Sequence, residues 1–367
     1  MSRLAAGQAA TKSLDEQLIA AAQAGDTATV QQLLQKGANI DANDGIGTAL
    51  YWATMLGKTD TVKLLLEKGA NIEARDYAGD TALFIAVNDG KSELVNLLLA
   101  MGANIEAKGS LGFTAMMTAA FDGKTDMVQL LLAKGANIEA RDQDGKTALL
   151  NAAEEGKTDM VKLLLEKGAN IEARGNGSLF EGATALTLAS SGGHTEVVKL
   201  LLDKHANIEA QGSNGETALM NAADDGKTDI ARLLLDRGAN IETRSEGGYT
   251  ALMNTASHGQ TDVAKLLLER GVNIEAKSDD DTTALMLAAF DGQTEVAKLL
   301  LEKGANIKAT DKNGVTALGY ALKQTAPGYV LKGGNAEVVK LLKAGQSHER
   351  NVPREPRWYR RGYSLHV

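Results

Sequence analysis

The chain has 367 residues, a net charge of −8, 44% hydrophobic but only 4% aromatic content, and no cysteine. The missing cysteine excludes disulfides, thiolate nucleophiles and cysteine zinc sites. The acidic balance argues against a general nucleic-acid binder and permits a partner with a basic surface. No stretch approaches the ~18 apolar residues of a membrane span, and the first residues lack the apolar run of a signal peptide. A cytoplasmic monomer without a cofactor or metal is therefore expected.

Residues 1–12 are small and polar and read as an N-terminal tail. From Ser13 to Lys36 two short helices are readable, broken at Gly25, with Leu18, Ala21 and Ala22 inward on the first and Val30, Leu33 and Leu34 on the second. Their outer positions are Gln, Glu and Asp, as a terminal capping repeat requires.

Beyond this cap, a T-A-L/M triplet recurs at Thr48, Thr81, Thr114, Thr147, Thr184, Thr217, Thr250, Thr283 and Thr316, in steps of 33 residues except for one of 37. Such a period is the mark of a stacked repeat. In the copy at 135–167, Ala136, Ile138 and Ala140 alternate with Asn137, Glu139 and Arg141, which predicts an extended arm. The turn Asp142–Gly145 follows, with Gly145 suited to positive φ. Thr147 caps a first helix with Leu149, Ala152 and Ala153 buried, and Gly156 ends it. Thr158 caps a second helix, whose apolar face is Val161, Leu164 and Leu165. The alanines let successive layers approach closely, so burial comes from the neighbouring repeats.

These segments read T-A-L-L-N-A (147–152), G-K-T-D-M-V (156–161) and G-A-N-I-E-A (168–173). The chain resembles an ankyrin-repeat protein, whose unit carries T-P-L-H-x-A, G-H-x-E-I-V and G-A-D-V-N-A at the same places. Ala82 and Ala148 stand where the family has proline. Met220, Phe84, Leu150 and Thr187 replace its histidine, and the arm's Asp becomes Asn71, Asn104 and Asn170. The resemblance implies an all-α solenoid of about ten stacked helix-turn-helix repeats, with short β-hairpin-like arms, over 13–345. Insertions interrupt it near 175–182 and 325–333. Residues 346–367 form a basic, aromatic tail, in which Arg354, Arg357, Arg360 and Arg361 are interleaved with Trp358, Tyr359 and Tyr363.

Catalytic motifs are missing. The G-K-T strings at Gly123, Gly156 and Gly226 lack the earlier glycine of a phosphate-binding loop, since Thr118, Asn151 and Asn221 stand there. The five histidines form no metal-binding i, i+4 pair. Glu73, Glu106, Glu139, Glu172, Glu209, Glu242 and Glu275 form one row on successive arms, with Arg75, Lys108, Arg141, Arg174, Arg244 and Lys277 two residues on. Two readings stand: a solvated surface of weak ion pairs, or a recognition strip.

The resemblance further implies that partners dock on the side built from the turn tips and the ends of the first helices. Carried over by position, this gives an apolar set of Met55, Leu56, Tyr77, Leu111, Phe113, Phe121 and Phe290. It also gives an acidic set of Asp89, Asp122, Glu154, Glu155, Asp224, Asp225 and Asp291. The expected function is a non-catalytic interaction module or scaffold that binds a protein or peptide with apolar anchors and basic flanks on its concave, acidic face. The alternative is a scaffold taken to RNA or an anionic membrane surface by its basic C-terminal tail.

Overall fold

The computed structural model describes residues 12–177, 181–323 and 334–351. The tails expected at 1–12 and 346–367 lie largely outside them, as do the insertion at 325–333 and the middle of the one near 175–182. The chain divides into two compact units, 1–185 and 186–367.

Among the described residues of the first unit there are five helix pairs: Leu14–Ala24 with Thr27–Gln35, Ala49–Met55 with Thr59–Glu67, Ala82–Asn88 with Ser92–Ala100, Ala115–Phe121 with Thr125–Ala133, and Ala148–Glu154 with Thr158–Glu166. In the second unit the pairs run from Ala185–Gly192 with Thr195–Asp203 to Ala317–Lys323 with Gly334–Asn351. The first helices pack on one another in succession through the first unit, and in the second from Ala218–Asp224 to Ala317–Lys323. Ala152, Ala153, Val161 and Leu164 are buried in one such layer.

The first helices begin as their sequence predicts. Thr147 Oγ1 accepts the backbone N–H of Leu150 at 3.4 Å, and Thr81, Thr114, Thr217 and Thr250 do the same for the residue three on. The second helices differ from expectation. Thr158 is already the first helical residue, and the capping position is Lys157, whose side chain makes no cap hydrogen bond. Lysine at this place does other work. Lys91 Nζ reaches back 36 and 37 residues to the carbonyls of Met55 and Thr54 at the C-terminal end of the preceding repeat's first helix.

The arms are a correction to the sequence reading. Among the described residues there are only three isolated bridges, Asn43 with Thr48, Arg75 with Thr81 and Lys108 with Thr114, and no strand, so there are no β-hairpin arms. Each arm turns instead. The Ala140 N–H donates to the Asn137 carbonyl at 3.1 Å. The Asn137 side-chain oxygen accepts the N–H of Glu139 at 3.0 Å. An asparagine side chain that bonds the backbone two residues on stabilises a turn over an extended chain. The period-two alternation of Ala136, Ile138 and Ala140 is therefore not that of a strand.

The glutamate and arginine rows are also structural. Within the first unit, Asp41, Glu73, Glu106 and Glu139 accept the backbone N–H groups of Asn71, Asn104, Asn137 and Asn170 at 2.7–2.9 Å. Glu209, Glu242 and Glu275 do the same in the second unit for Asn240, Asn273 and Asn306. Arg75 and Lys108 donate to the backbone carbonyls of Lys108 and Arg141, and Arg141 to that of Arg174, each 33 residues ahead. The glutamate row within each unit, and Arg75, Lys108 and Arg141 in the first, thus tie repeats to the backbone of the next, whereas Arg244 and Lys277 pair with Asp279 and Asp281. Glu106→Ala is expected to lower stability by about 1 kcal/mol, a charge-assisted bond discounted for exposure. Glu106→Gln, which keeps an acceptor, should lose less; urea midpoints of the two variants check the order.

Candidate functional site

In the first unit the structure brings five of the expected residues into one groove of about 270 Å³. One wall is apolar: Leu111, Phe113 and Phe121. The other is polar: Asp142, Gln143, Asp144, Lys146, Asn151, Glu154 and Glu155. The apolar wall is placed by the single turn Ser110–Gly112 and by the end of the helix Ala115–Phe121. The Phe113 and Phe121 rings meet edge-on, with centroids 6.1 Å apart and planes at 63°. Phe121 remains 41% exposed.

Leu111 is the unusual member. It is 69% exposed, and its φ of 58° lies in the left-handed region. Two other turns of the same form put Asn214 (φ 59°) and Gly247 (φ 78°) at that position, and these residue types enter the region at little cost. Leucine costs about 1–2 kcal/mol there, and a side chain this exposed recovers little of that by burial. The Leu111 carbonyl accepts the N–H of Gln143 at 3.1 Å, which fixes the turn against the next repeat.

The polar wall is a network over a buried carboxylate. Asp142, 7% exposed, accepts the N–H of Lys146 at 2.8 Å and the Nδ2–H of Asn151 at 2.9 Å. Lys146 Nζ lies 2.7 Å from Glu154 Oε2. Glu155 and Asp144 are exposed and, among the described residues, in no ion pair. Asp142, Lys146 and Asn151 were not expected from sequence. Their signal would have been that the residues before and four after each repeat's threonine vary strongly, as Lys146 and Asn151 do beside Phe113 and Thr118.

The remaining expected residues are placed elsewhere. Met55, Leu56 and Tyr77 are exposed in the first unit but outside the groove. Asp89 pairs with Lys91 at 2.6 Å, and Asp122 pairs with Lys124. The carboxylates Asp89, Asp122 and Glu154 thus carry cations from their own repeats. In the second unit, Asp225 accepts from Ser191 Oγ at 2.7 Å, and Asp291 is the last residue of the helix Ala284–Asp291. Phe290 packs edge-on against Tyr320, centroids 6.0 Å apart.

Asp224 belongs to a second charged cluster. His258 Nδ1 lies 2.7 Å from Asp224 Oδ1, and Asn254 Nδ2–H donates to Glu216 Oε1 at 3.4 Å. Burial holds the Glu216 carboxyl above the usual carboxylate range, and the Asp224 and Asp225 charges add to this against the opposing Asn254 bond and His258. Burial likewise raises Asp224, with His258 opposing and Asp225 adding. A carboxyl with a raised folded pKa contributes stability that is full at pH values below the ordinary carboxylate pKa and is lost as the pH rises through the raised value. At neutral pH the Glu216 charge is thus a net cost. Glu216→Gln is expected to stabilise the chain at about pH 7, and the gain should shrink as the pH falls toward about 5. Denaturation midpoints at the two pH values check this, and a gain independent of pH would contradict it.

Among the described residues no helix is long and apolar enough to cross a membrane. Nor does any group of three or more His, Asp or Glu among them have the arrangement to hold a metal ion. No curated protein matches the chain significantly. The family model described as "ankyrin repeats (3 copies)" matches residues 18–109, 106–175, 174–245, 238–311 and 253–352. The general role of that repeat is a non-catalytic scaffold for protein–protein interaction. With helix pairs, threonine caps and a 33-residue period repeated through both units, the chain belongs to the ankyrin-repeat family.

Proposed function

We propose that this scaffold holds a protein or peptide segment in the groove between the turn Ser110–Gly112 and the helix Ala148–Glu154. Leu111, Phe113 and Phe121 take an apolar anchor, and Glu155 and Asp144 meet a basic flank. The observation that carries the reading is Leu111, an exposed leucine held at a positive φ that packing does not reward. An outlier of this kind is more readily kept for binding than for stability. The groove also has the anatomy of a binding hot spot, aromatic residues beside a polar rim.

The acidic face is narrower than the seven carboxylates suggest. Asp89, Asp122 and Glu154 are each met by a lysine, so the field that steers a basic partner comes mainly from Glu155 and Asp144. A rigid, preformed groove loses little entropy on binding, so its contacts need not offset the ordering of the receptor.

The test is a pull-down with the intact chain, repeated with Phe113→Ser/Phe121→Ser and with Asp144→Asn/Glu155→Gln. The first variant is expected to lose the partner. The second is expected to keep it with a weaker salt dependence. Recovery of the same partners at the same salt dependence by both variants would reject the groove.

A further inference from the structure

In three repeats the residue four after the threonine cap hydrogen-bonds an aspartate at the start of its own turn. Trp52 Nε1–H donates to Asp44 at 2.9 Å, Asn151 Nδ2–H to Asp142 at 2.9 Å, and Tyr320 Oη–H to Asp311 at 2.8 Å. Two of these three donors are aromatic. Asn151 is the short one, and the groove opens beside it.

Phe121 and Phe290 are counterparts as well. Each lies in the last turn of the first helix of its repeat, in the string A-A-F-D-G at 119–123 and 288–292. At Phe290 the following repeat supplies Tyr320, whose ring stands edge-on to Phe290 with planes at 87° and whose hydroxyl is held by the buried Asp311. At Phe121 the following repeat supplies Asn151, and Phe121 lines an open groove. The second unit thus contains a counterpart of Phe121 that meets a tyrosine ring from the following repeat, where the first unit has Asn151.

We propose that the groove takes a tyrosine side chain from a partner protein. The inference rests on the docking reading above and names its anchor. The ring lies against Phe121 as Tyr320 lies against Phe290, an edge-to-face contact that adds to area burial. Its hydroxyl donates to the carboxylate of Asp142, as the Tyr320 hydroxyl donates to that of Asp311. A leucine or phenylalanine anchor would bury that wall without supplying a donor. Basic residues beside the tyrosine meet Glu155 and Asp144. A phosphate on the tyrosine would bring like charge against them and is excluded.

The experiment titrates the intact chain with four acetylated, amidated tripeptides in which tyrosine, leucine, alanine or phosphotyrosine stands between two arginines. Saturation-transfer NMR and calorimetry read the binding. The tyrosine peptide is expected to bind about tenfold tighter than the leucine peptide, a difference of about 1.4 kcal/mol, and the phosphotyrosine peptide not at all. Asn151→Tyr, which keeps a donor for Asp142 and supplies the ring, is expected to lower the tyrosine peptide's affinity at least about tenfold in a folded chain. If that variant does not fold, Phe121→Ser serves in its place with the same expected loss. Equal binding of the tyrosine and alanine peptides, or undiminished binding by the folded variant, overturns the proposal. A preference for leucine that Phe121→Ser abolishes overturns the tyrosine assignment and leaves the groove standing. Binding by none of the peptides overturns both.

Discussion

Replacing Leu164 with alanine is expected to cost about 2–5 kcal/mol of folding free energy, the transfer term plus the cavity left behind. Leu164 is fully buried in the helix Thr158–Glu166, and its carbonyl accepts the Ala169 N–H at 2.9 Å, so it anchors both the second helix and the start of the next arm. In a stacked repeat each layer's stability includes its interface with the neighbours. The cavity should therefore weaken adjacent repeats as well and broaden the unfolding transition. Ile138→Ala, at a half-buried arm position, should cost less. Urea denaturation followed by circular dichroism orders the two, and a loss under about 1 kcal/mol for Leu164→Ala would mean that the layers are not closely packed.

Leu111→Asn is expected to move stability and binding in opposite directions. Asn214 holds the same turn position at φ 59°. Asparagine there should relieve about 1 kcal/mol of backbone strain. Leu111 is 69% exposed, so its removal loses little burial. The unfolding midpoint should rise while the partner's affinity falls by about tenfold or more, because the variant removes the most exposed side chain of the apolar wall. A stability gain bought with lost function is the expected signature of a residue kept for its partner. A fall in both quantities would mark Leu111 as a packing residue.

Much of the fold was legible because its causes are local. Thr147 caps a helix through an N–H three residues away, and Gly135 needs nothing but its φ of 90°, with no atom within 4 Å of where a Cβ would stand. The arms were misread because Ala136, Ile138 and Ala140 alternate as a strand would, while the deciding contact is the Asn137 side chain on the Glu139 N–H. The Glu139 and Arg141 rows were out of reach for a different reason. Their partners are backbone groups 31 and 33 residues ahead, which exist only once the next repeat is stacked.

The groove was half legible. Leu111, Phe113, Phe121, Glu154 and Glu155 stand out as changing letters in a constant frame, and the structure gathers them. The charge balance did not stand out. Lys91 and Lys124 belong to the recurring G-K-[ST] string and look like parts of a helix end, yet each neutralises the aspartate two residues before it. Asn151 was missed because its meaning comes from comparison with Trp52 and Tyr320, which make the same bond with a ring attached.

Docking in the Leu111–Phe121 groove makes the partner's affinity depend on Leu111. The measurement that reaches it most directly is the dissociation constant of the partner recovered by the intact chain, titrated against Leu111→Asn and against Tyr249→Ser, a change at a partly exposed aromatic in the second unit. The affinity is expected to be lower by about tenfold or more for Leu111→Asn, in a chain at least as stable as the original, and unchanged for Tyr249→Ser. Equal affinities for Leu111→Asn and the unaltered chain would contradict it.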